Sequence, residues 1–207
     1  MRTATEEHAS VVIDYTDCSV GCSEMGSNFH AVRFYKDAKS LCALVSSFLT
    51  VGFVASHPAV VIATPEHRNG ILEHLRWGGV DPVDLQTDGS LILLDAQDTL
   101  DELMRDGMPN ASLFTALMEP TLQSIAQKHP ELPIRAYGEM VDVLWKQGRT
   151  VAATRLEMLW NDLARRHRFS LLCGYAMGNF YKDAAVEEIC SHHTHVLTAA
   201  GAPAVIS

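Results

Sequence analysis

Five short apolar runs, separated by stretches with helical periodicity, constrain the fold of this chain more than any other feature. The run at 59–64 (AVVIAT) is apolar throughout, which is typical of a strand buried on both faces of a parallel sheet. Strands that alternate with helices form right-handed βαβ units, so the helices cover both faces of the sheet. The pattern therefore predicts an α/β fold in three layers, a mostly parallel sheet with helices on both faces. The predicted strands cover residues 30–35, 59–64, 91–96, 133–137 and 169–175, and the predicted helices cover 37–54, 65–79, 97–106, 112–128, 139–147, 150–166 and 183–199.

A phosphate-binding loop is missing from the place where this fold class usually carries one. The first regular strand, 30–35 (HAVRFY), runs directly into Lys36-Asp37-Ala38-Lys39 and a predicted helix. Nothing there matches the pattern GxxxxGK[ST], whose backbone N–H groups and lysine cradle phosphates. We therefore expect a protein that senses or binds a molecule rather than an enzyme that turns over ATP.

The overall charge argues against a nucleic-acid-binding protein. The chain holds 16 lysines and arginines against 25 aspartates and glutamates, a formal net charge of −9 at neutral pH. Phosphate contacts need clustered cations, which an acidic chain supplies poorly. The densest basic stretch, 165–168 (RRHR), ends a predicted helix, where cations complement the helix dipole. We expect no direct contact with nucleic acid.

The sequence also lacks the signals of a membrane or disulfide-stapled protein. No apolar run reaches the roughly 18 residues that would span a bilayer, and the N-terminus (MRTATEEHAS) has no apolar signal core. We therefore expect a cytoplasmic protein without a membrane partner. Its five cysteines are odd in number and scattered, unlike a disulfide framework. Cys42 and Cys173 lie in apolar patterns, which predicts buried small hydrophobic side chains.

The first 28 residues differ in composition from the rest of the chain. Residues 11–13 (VVI) could form a short strand, but the residues that follow are polar and turn-like. We interpret 1–28 as an N-terminal arm that is flexible or packs on a neighbouring subunit, 29–199 as one α/β domain, and 200–207 as a tail. Because the VVI strand could add to the sheet edge of a second copy, we expect a homo-oligomer, most simply a dimer.

Polar residues gather where the predicted strands end. In parallel α/β sheets, ligands bind outside the carboxyl ends of the strands. The sharpest local feature is 64–68 (TPEHR), which places a hydroxyl, an imidazole and a guanidinium at a helix N-terminus, where an anion is favoured. We therefore predict a site for a small polar or anionic ligand. Its candidate residues are His30, Tyr35, Thr64, His67, Arg68, Asp95, Arg135, Tyr137 and Glu139.

Several of these residues also have a purely structural interpretation. Thr64 could cap the helix that follows it, His30 could be a buried structural histidine, and Arg135 could simply pair with Glu139. In a hydrolase, Asp95 and Glu139 would orient a magnesium ion or a water molecule. Without the lysine loop, however, neither carboxylate has an evident triphosphate to serve.

Two short groups contain residue types that bind metals, namely Cys18 with Cys22 and the segment 190–195 (CSHHTH). Most of the chain separates the two groups. On a helix, the cysteine and histidines of 190–195 fall on two adjacent faces rather than around one cage. We therefore predict no metal site and no catalytic residue, and the sequence identifies no cofactor. A redox-sensitive Cys18/Cys22 pair remains an alternative.

A string of motifs between residues 29 and 196 matches one known family. The pieces are HAVRFY (30–35), VVIATPEHRNGILEHL (60–75), GSLILLDAQDTL (89–100), IRAYGEMVDVLW (134–145), RLEMLWNDLA (155–164), FSLLCGY (169–175) and ICSHHTHV (189–196). The most specific piece is IRAYGEMVDVLW followed by LEMLWNDL. Through these motifs the chain resembles the MEDS family, the sensory domain named for methanogen and methylotroph proteins and for the repressor of dichloromethane dehalogenase.

The resemblance implies a RecA-like fold, similar to the ATPases of the circadian-clock KaiC type but without a functional phosphate loop. Members of the family often precede kinase or DNA-binding output modules, and little chain follows residue 200 here to house one. We therefore expect a stand-alone sensory or regulatory protein that signals to a kinase, a transcription regulator or another protein through protein–protein contacts. Two alternatives remain, a degenerate RecA/KaiC-type ATPase built on Asp95 and Glu139, and an interaction module that binds no ligand.

Overall fold

Residues 11–14, 29–179 and 183–198 are the part of the chain that the computed structural model describes. Their strands are β1 (Val11–Asp14), β2 (His30–Tyr35), β3 (Ala59–Ala63), β4 (Leu91–Asp95), β5 (Met104–Arg105), β6 (Met108–Pro109), β7 (Ile134–Gly138), β8 (Phe169–Ala176) and β9 (His195–Thr198). Their α-helices are α1 (Ala38–Val54), α2 (Pro65–Trp77), α3 (Pro82–Asp88), α4 (Ala96–Leu103), α5 (Ala111–Lys128), α6 (Met140–Lys146), α7 (Thr150–Ala164) and α8 (Asp183–Ser191). A 3-10 turn, Met177–Asn179, follows β8.

Seven of these strands form one parallel sheet in the order β1-β9-β2-β8-β7-β3-β4. The consecutive strands β2 and β3 are separated by β8 and β7, so the strand order reverses in the middle of the sheet. Helix α1, which follows β2, packs on one face, and α6, which follows β7, packs on the other. Carboxyl strand ends at such a reversal are the usual ligand site of open α/β sheets.

Side chains alternate between two hydrophobic cores along each central strand. In β3, Val60 and Ile62 face the core formed with α4, α5, α6 and α7. Val61 and Ala63 face the other core, formed with α1 and α2. The whole of β3 is therefore buried, which explains its unbroken apolar run. The prediction of a three-layer α/β fold is confirmed.

Local sequence signals set where several helices begin. Asp37 caps α1 by accepting a hydrogen bond from the Ser40 backbone N–H at 2.8 Å. Pro65 occupies the first turn of α2, where its missing N–H costs nothing. Asn110 caps α5 through the Leu113 N–H at 3.1 Å. Among the described residues, no helix is both long and apolar enough to cross a membrane.

One predicted element near the C-terminus is wrong. The helix predicted over 183–199 ends at Ser191, and the chain turns and continues as the strand β9. The apolar residues Val196 and Leu197 enter the sheet between β1 and β2, and each packs into a different core. Tertiary pairing overrides the local helical pattern there. The predicted helix 97–106 likewise ends at Leu103, before the small antiparallel hairpin of β5 and β6.

The predicted strand at 11–13 is present as β1. It pairs in parallel with β9 of the same chain, with Val11 opposite His195 and Ile13 opposite Leu197. A neighbouring subunit was the expected partner of this strand, whereas the observed pairing extends the chain's own sheet. Without β1, strand β9 would form the edge of the sheet and present unpaired backbone groups, which β1 satisfies.

The connection between β2 and α1 consists of Lys36 and Asp37 alone. A phosphate-binding loop of the lysine-containing type needs about eight residues between its strand and helix. The two-residue connection therefore has no room for such a loop.

We predict that Gly174→Ala destabilises the fold. A Cβ at this position of β8 would lie 2.8 Å from the buried Tyr137 hydroxyl, so the tyrosine ring would have to shift. Overpacking of this kind costs about 1–3 kcal/mol, which urea denaturation can measure. Gly178→Ala is the matched control, since a Cβ there meets nothing within 4 Å. Equal stability of the two variants would contradict the packing described for β8.

Candidate functional site

A buried carboxylate, Glu139, lies at the carboxyl end of β7 and is only 1% exposed. It accepts a hydrogen bond from the Thr64 backbone N–H at the end of β3. His67 Nδ1, in the first turn of α2, donates to its Oε2 at 2.6 Å, and the Tyr137 hydroxyl donates to the same oxygen at 3.1 Å. One side chain therefore ties together the ends of two strands and the start of a helix.

The contact between Glu139 and His67 favours the charged form of both side chains. Burial raises the pKa of the Glu139 carboxyl, but the hydrogen bonds from His67 and Thr64 outweigh it, and the pKa lies below its usual value. The hydrogen bond to Glu139 raises the pKa of the His67 ring above its usual value of 6.5, against the opposing effect of burial. The imidazole and the carboxylate share a proton, and any change in their contact would shift both pKa values.

A second buried carboxylate, Asp142, lies beside the first on α6 and is also 1% exposed. The Tyr35 hydroxyl at the end of β2 donates to its Oδ2 at 2.8 Å, and the Ala176 N–H at the end of β8 donates to its Oδ1 at 2.9 Å. Lys146, one turn further along α6, forms an ion pair with it at 2.7 Å. Burial and the adjacent Asp142 raise the pKa of the Tyr35 hydroxyl, so it remains a donor.

Two cations reach from this buried network towards solvent. Arg68, in the first turn of α2, lies 3.6 Å from Asp95 at the end of β4, and its side chain is 26% exposed. The Lys146 side chain is 47% exposed. Both cations keep hydrogen-bond donors beyond those their carboxylate partners use. Each can offer these remaining donors to a polar group outside the strand ends.

The predicted residues Tyr35, Thr64, His67, Arg68, Asp95, Tyr137 and Glu139 are therefore brought to this edge of the sheet. Thr64 does not cap α2 with its side chain, so that structural interpretation was wrong. Asp95 caps α4 by accepting from the Gln97 N–H at 2.9 Å.

The prediction that Arg135 belongs to the strand-end site is wrong. Arg135 is the second residue of β7, at the amino end, about 13 Å along the chain from Glu139 at ~3.3 Å per residue. Its guanidinium donates to the Phe48 carbonyl at 2.8 Å and lies over the Phe48 ring at 4.8 Å. These contacts connect α1 to the sheet, and Arg135 does not pair with Glu139.

His30 is also misplaced by the sequence prediction. As the first residue of β2 it lies at the amino end of the strand, on the face covered by α7. Its Nδ1 contacts Asn161 Oδ1 at 2.9 Å, and its Nε2 lies 3.3 Å from Cys173 Sγ. The residue is buried among polar partners, but in a different place from the strand-end network.

Sequence reasoning missed Asp142 and Lys146. Their spacing of four residues on a short helix directly after β7 is a signal that could have found them. Such pairs are common on solvent-facing helices, so the spacing alone does not reveal that Asp142 is buried. That burial follows from the contacts of Tyr35 and Ala176, which come from other parts of the chain.

The cysteine and histidine groups have different outcomes. Cys18 and Cys22 lie outside the described residues. In the segment 190–195, Cys190 is buried at the end of α8, while His195 begins β9. His193 turns inward and donates from Nδ1 to the Ile189 carbonyl at 2.8 Å.

Two surface depressions lie away from the strand ends. One, of about 360 Å³, is lined by 76, 79–81 and 83, and the other, of about 210 Å³, lies between the end of α5 and the start of β8. The strand-end residues instead pack against one another.

Comparisons with known proteins give a family and a similar fold. Residues 29–194 match the model of a family described as MEDS, the methanogen/methylotroph, DcmR sensory domain. Among solved structures, the fold is similar to a KaiC-like protein, PH0186, from the hyperthermophilic archaeon Pyrococcus horikoshii, with a TM-score of 0.57. At 9% identity that likeness, over 83% of this chain and 71% of the other, shows a shared fold. No curated protein matches the chain.

We predict that Glu139→Gln lowers the pKa of His67. The wild-type ring titrates above 6.5, whereas in the variant burial remains and the anionic partner is lost, so the ring titrates below 6.5. Because the folded-state pKa is raised, the stabilisation from the pair is present below pH 6.5 and is lost as pH rises through the raised pKa. Histidine NMR titration measures both values.

His57 is the internal control for this titration. Burial and the nearby Arg135 lower its pKa, and it does not contact Glu139, so its titration should not change. An unchanged pKa of His67 in the variant would contradict the pairing.

Proposed function

Because the chain belongs to the MEDS family of sensory domains, we propose that it is a sensory or regulatory protein that binds a small polar or anionic molecule at the carboxyl ends of β2, β3 and β7. The bound state is passed on through protein–protein contacts, to a kinase, a transcription regulator or another protein. The observation that carries this proposal is the buried network of Glu139 and Asp142, bordered by the partly exposed cations Arg68 and Lys146.

The energetics of the network support a binding role. Burying carboxylates is costly unless hydrogen bonds and cations compensate for the lost water. This chain buries two of them side by side at the edge of the sheet where α/β folds bind ligands, although the strands are otherwise apolar. A network of this kind holds the surrounding donors in fixed positions, which lowers the cost of ordering them around a ligand.

Arg68 offers a direct way for an anion to enter. Its contact with Asp95 is 3.6 Å long and partly exposed, so it is weak. A ligand carboxylate or phosphate that bonds to the guanidinium in a bidentate manner would be the stronger partner. Release of Asp95 would in turn affect α4, which that carboxylate caps.

Several features argue against hydrolysis as the function. The two-residue connection after β2 leaves no phosphate cradle. Glu139, which would have to orient water in a hydrolase, accepts hydrogen bonds from Thr64, His67 and Tyr137. We therefore propose a protein without enzymatic activity, and the KaiC-like neighbour supports the fold alone.

We predict that Arg68→Ala abolishes ligand-induced stabilisation. A panel of small carboxylates, sulfonates and phosphate esters is screened by thermal unfolding of the full chain. A probe at 100 times its Kd stabilises the native state by about 2.7 kcal/mol, which is readily measured. The probe that raises the Tm of the parent should leave Arg68→Ala unchanged, and Lys146→Ala should respond less than the parent.

Arg76→Ala is the matched control, because Arg76 lies at the other end of α2 and is exposed. It should respond like the parent. Equal stabilisation of Arg68→Ala and the parent would place the ligand elsewhere. If no probe of the panel stabilised the parent, the ligand-free interaction module would be favoured instead.

Helix α2 joins the proposed ligand site to an exposed aromatic side chain. Its first turn holds His67 and Arg68, and its last residue, Trp77, is 67% exposed. Exposed tryptophans are frequent anchors of protein interfaces. We propose that a second copy of this chain covers Trp77, since closed homodimers are the commonest soluble assembly.

We predict a homodimer that Trp77→Ser weakens. Each dimer loses two copies of an anchor worth about 2 kcal/mol, which raises the dimer dissociation constant about 1,000-fold, and light scattering over a dilution series can measure this. Val54→Ser, at a more exposed apolar position at the end of α1, is the control and should leave the dimer unchanged. A monomeric parent at all concentrations would contradict the homo-oligomer, and equal dissociation of both variants would contradict the role of Trp77.

A further inference from the structure

Four side chains that can bind metals meet beneath α7, away from the strand-end network. His30 comes from β2, Cys173 from β8, Glu157 from α7 and His193 from the connection between α8 and β9. Each is at most 4% exposed. One ligating atom of each lies within 4.8 Å of those of the other three. Four separate segments of the chain therefore place a nitrogen, oxygen or sulfur atom in one small buried volume.

Four of the distances between these side chains are close to the edge lengths of a tetrahedron around one ion. His30 Nε2 lies 3.2 Å from Glu157 Oε2 and 3.3 Å from Cys173 Sγ. His193 Nε2 lies 3.4 Å from Glu157 Oε1, and Cys173 Sγ lies 3.7 Å from Glu157 Oε2. Tetrahedral zinc with bonds of about 2.0–2.3 Å separates its ligand atoms by about 3.3–3.8 Å.

The outer hydrogen bonds of both imidazoles fix which nitrogen faces the cluster. His193 Nδ1 lies 2.8 Å from the Ile189 carbonyl, which can only accept, so Nδ1 carries the proton. His30 Nδ1 lies 2.9 Å from Asn161 Oδ1, and the Asn161 amide is oriented by its Nδ2 donating to the His192 carbonyl at 3.0 Å. In the neutral rings Nε2 is therefore the electron-pair donor. Metal-ligating histidines are usually held in this way by their other nitrogen.

Protonation of the two histidines would balance the electron-pair donors of this cluster less well than a bound metal cation. The rings of His30 and His193 lie 4.1 Å apart, so two imidazolium charges would repel each other. Glu157 brings a single negative charge and already accepts a hydrogen bond from the Tyr175 hydroxyl at 2.7 Å. The Tyr175 contact also orients the carboxylate, as outer-shell partners of metal ligands do.

We propose that His30, Glu157, Cys173 and His193 bind one zinc ion or a similar divalent transition-metal ion. The cysteine, histidine and carboxylate set is typical of zinc. Binding releases the thiol proton of Cys173 to solvent, and the thiolate and the carboxylate then balance the two positive charges of the ion. Four protein ligands leave no open position, so the ion ties four segments together and does not activate a substrate. This proposal replaces the sequence-based expectation of no metal.

The experiment uses the full chain without an affinity tag, stripped with a chelator and then titrated with Zn²⁺ or Co²⁺. We expect one zinc per chain by elemental analysis, and a rise in Tm of the stripped protein on adding Zn²⁺. The Co²⁺ form should show the thiolate-to-metal absorption band and the intense d–d bands of a tetrahedral site. A stripped, folded parent chain that shows neither a rise in Tm nor these bands would overturn the proposal and leave a network of protons and hydrogen bonds.

Variants assign the signal to these residues. Cys173→Ser should lose the thiolate band, whereas Cys42→Ser should keep it, because Cys42 is an equally buried cysteine in the opposite core. Asn161→Ala, which leaves all four ligands in place, should weaken zinc affinity about 10–100-fold in a competition titration. A thiolate band that persists in Cys173→Ser, or an unchanged affinity in Asn161→Ala, would contradict the assigned site.

Discussion

The carboxyl edge of the sheet depends on the hydrogen bonds that the buried Glu139 carboxylate accepts. This carboxylate joins the end of β3, the first turn of α2 and the end of β7, three segments that no local sequence preference would hold together. A buried carboxylate is stable only when such donors surround it, so the surrounding geometry is correspondingly fixed. The partly exposed Arg68 is the residue after His67 on the same turn of α2, so the contact of His67 with Glu139 helps to place it.

Strand β8 links the two polar centres of the molecule. Cys173 and Tyr175 point towards Glu157 beneath α7, and the next residue, Ala176, donates its backbone N–H to Asp142 at the strand ends. A change at either centre therefore acts on the same strand. This shared strand is a continuous backbone connection between the polar cluster in the core and the strand-end network.

The fold was predictable from the sequence because strands buried on two faces must be apolar throughout, as β3 is. The strand-end residues were predictable in part because parallel strands finish at one edge, which brings Tyr35 and Glu139 together. Arg135 and His30 were wrongly placed because a charged residue beside a strand does not reveal which end it occupies. The cluster around Glu157 joins residues far apart in sequence, so no spacing could indicate it.

The proposed ligand site requires a small molecule bound at the strand ends, and native mass spectrometry of the freshly purified full chain tests this most directly. The native mass, compared with the denatured mass, should exceed it by a releasable small organic molecule in addition to any metal ion. The same molecule should be absent from Arg68→Ala and present in Arg76→Ala. A native mass without an organic adduct, or the same adduct retained in Arg68→Ala, would contradict the account.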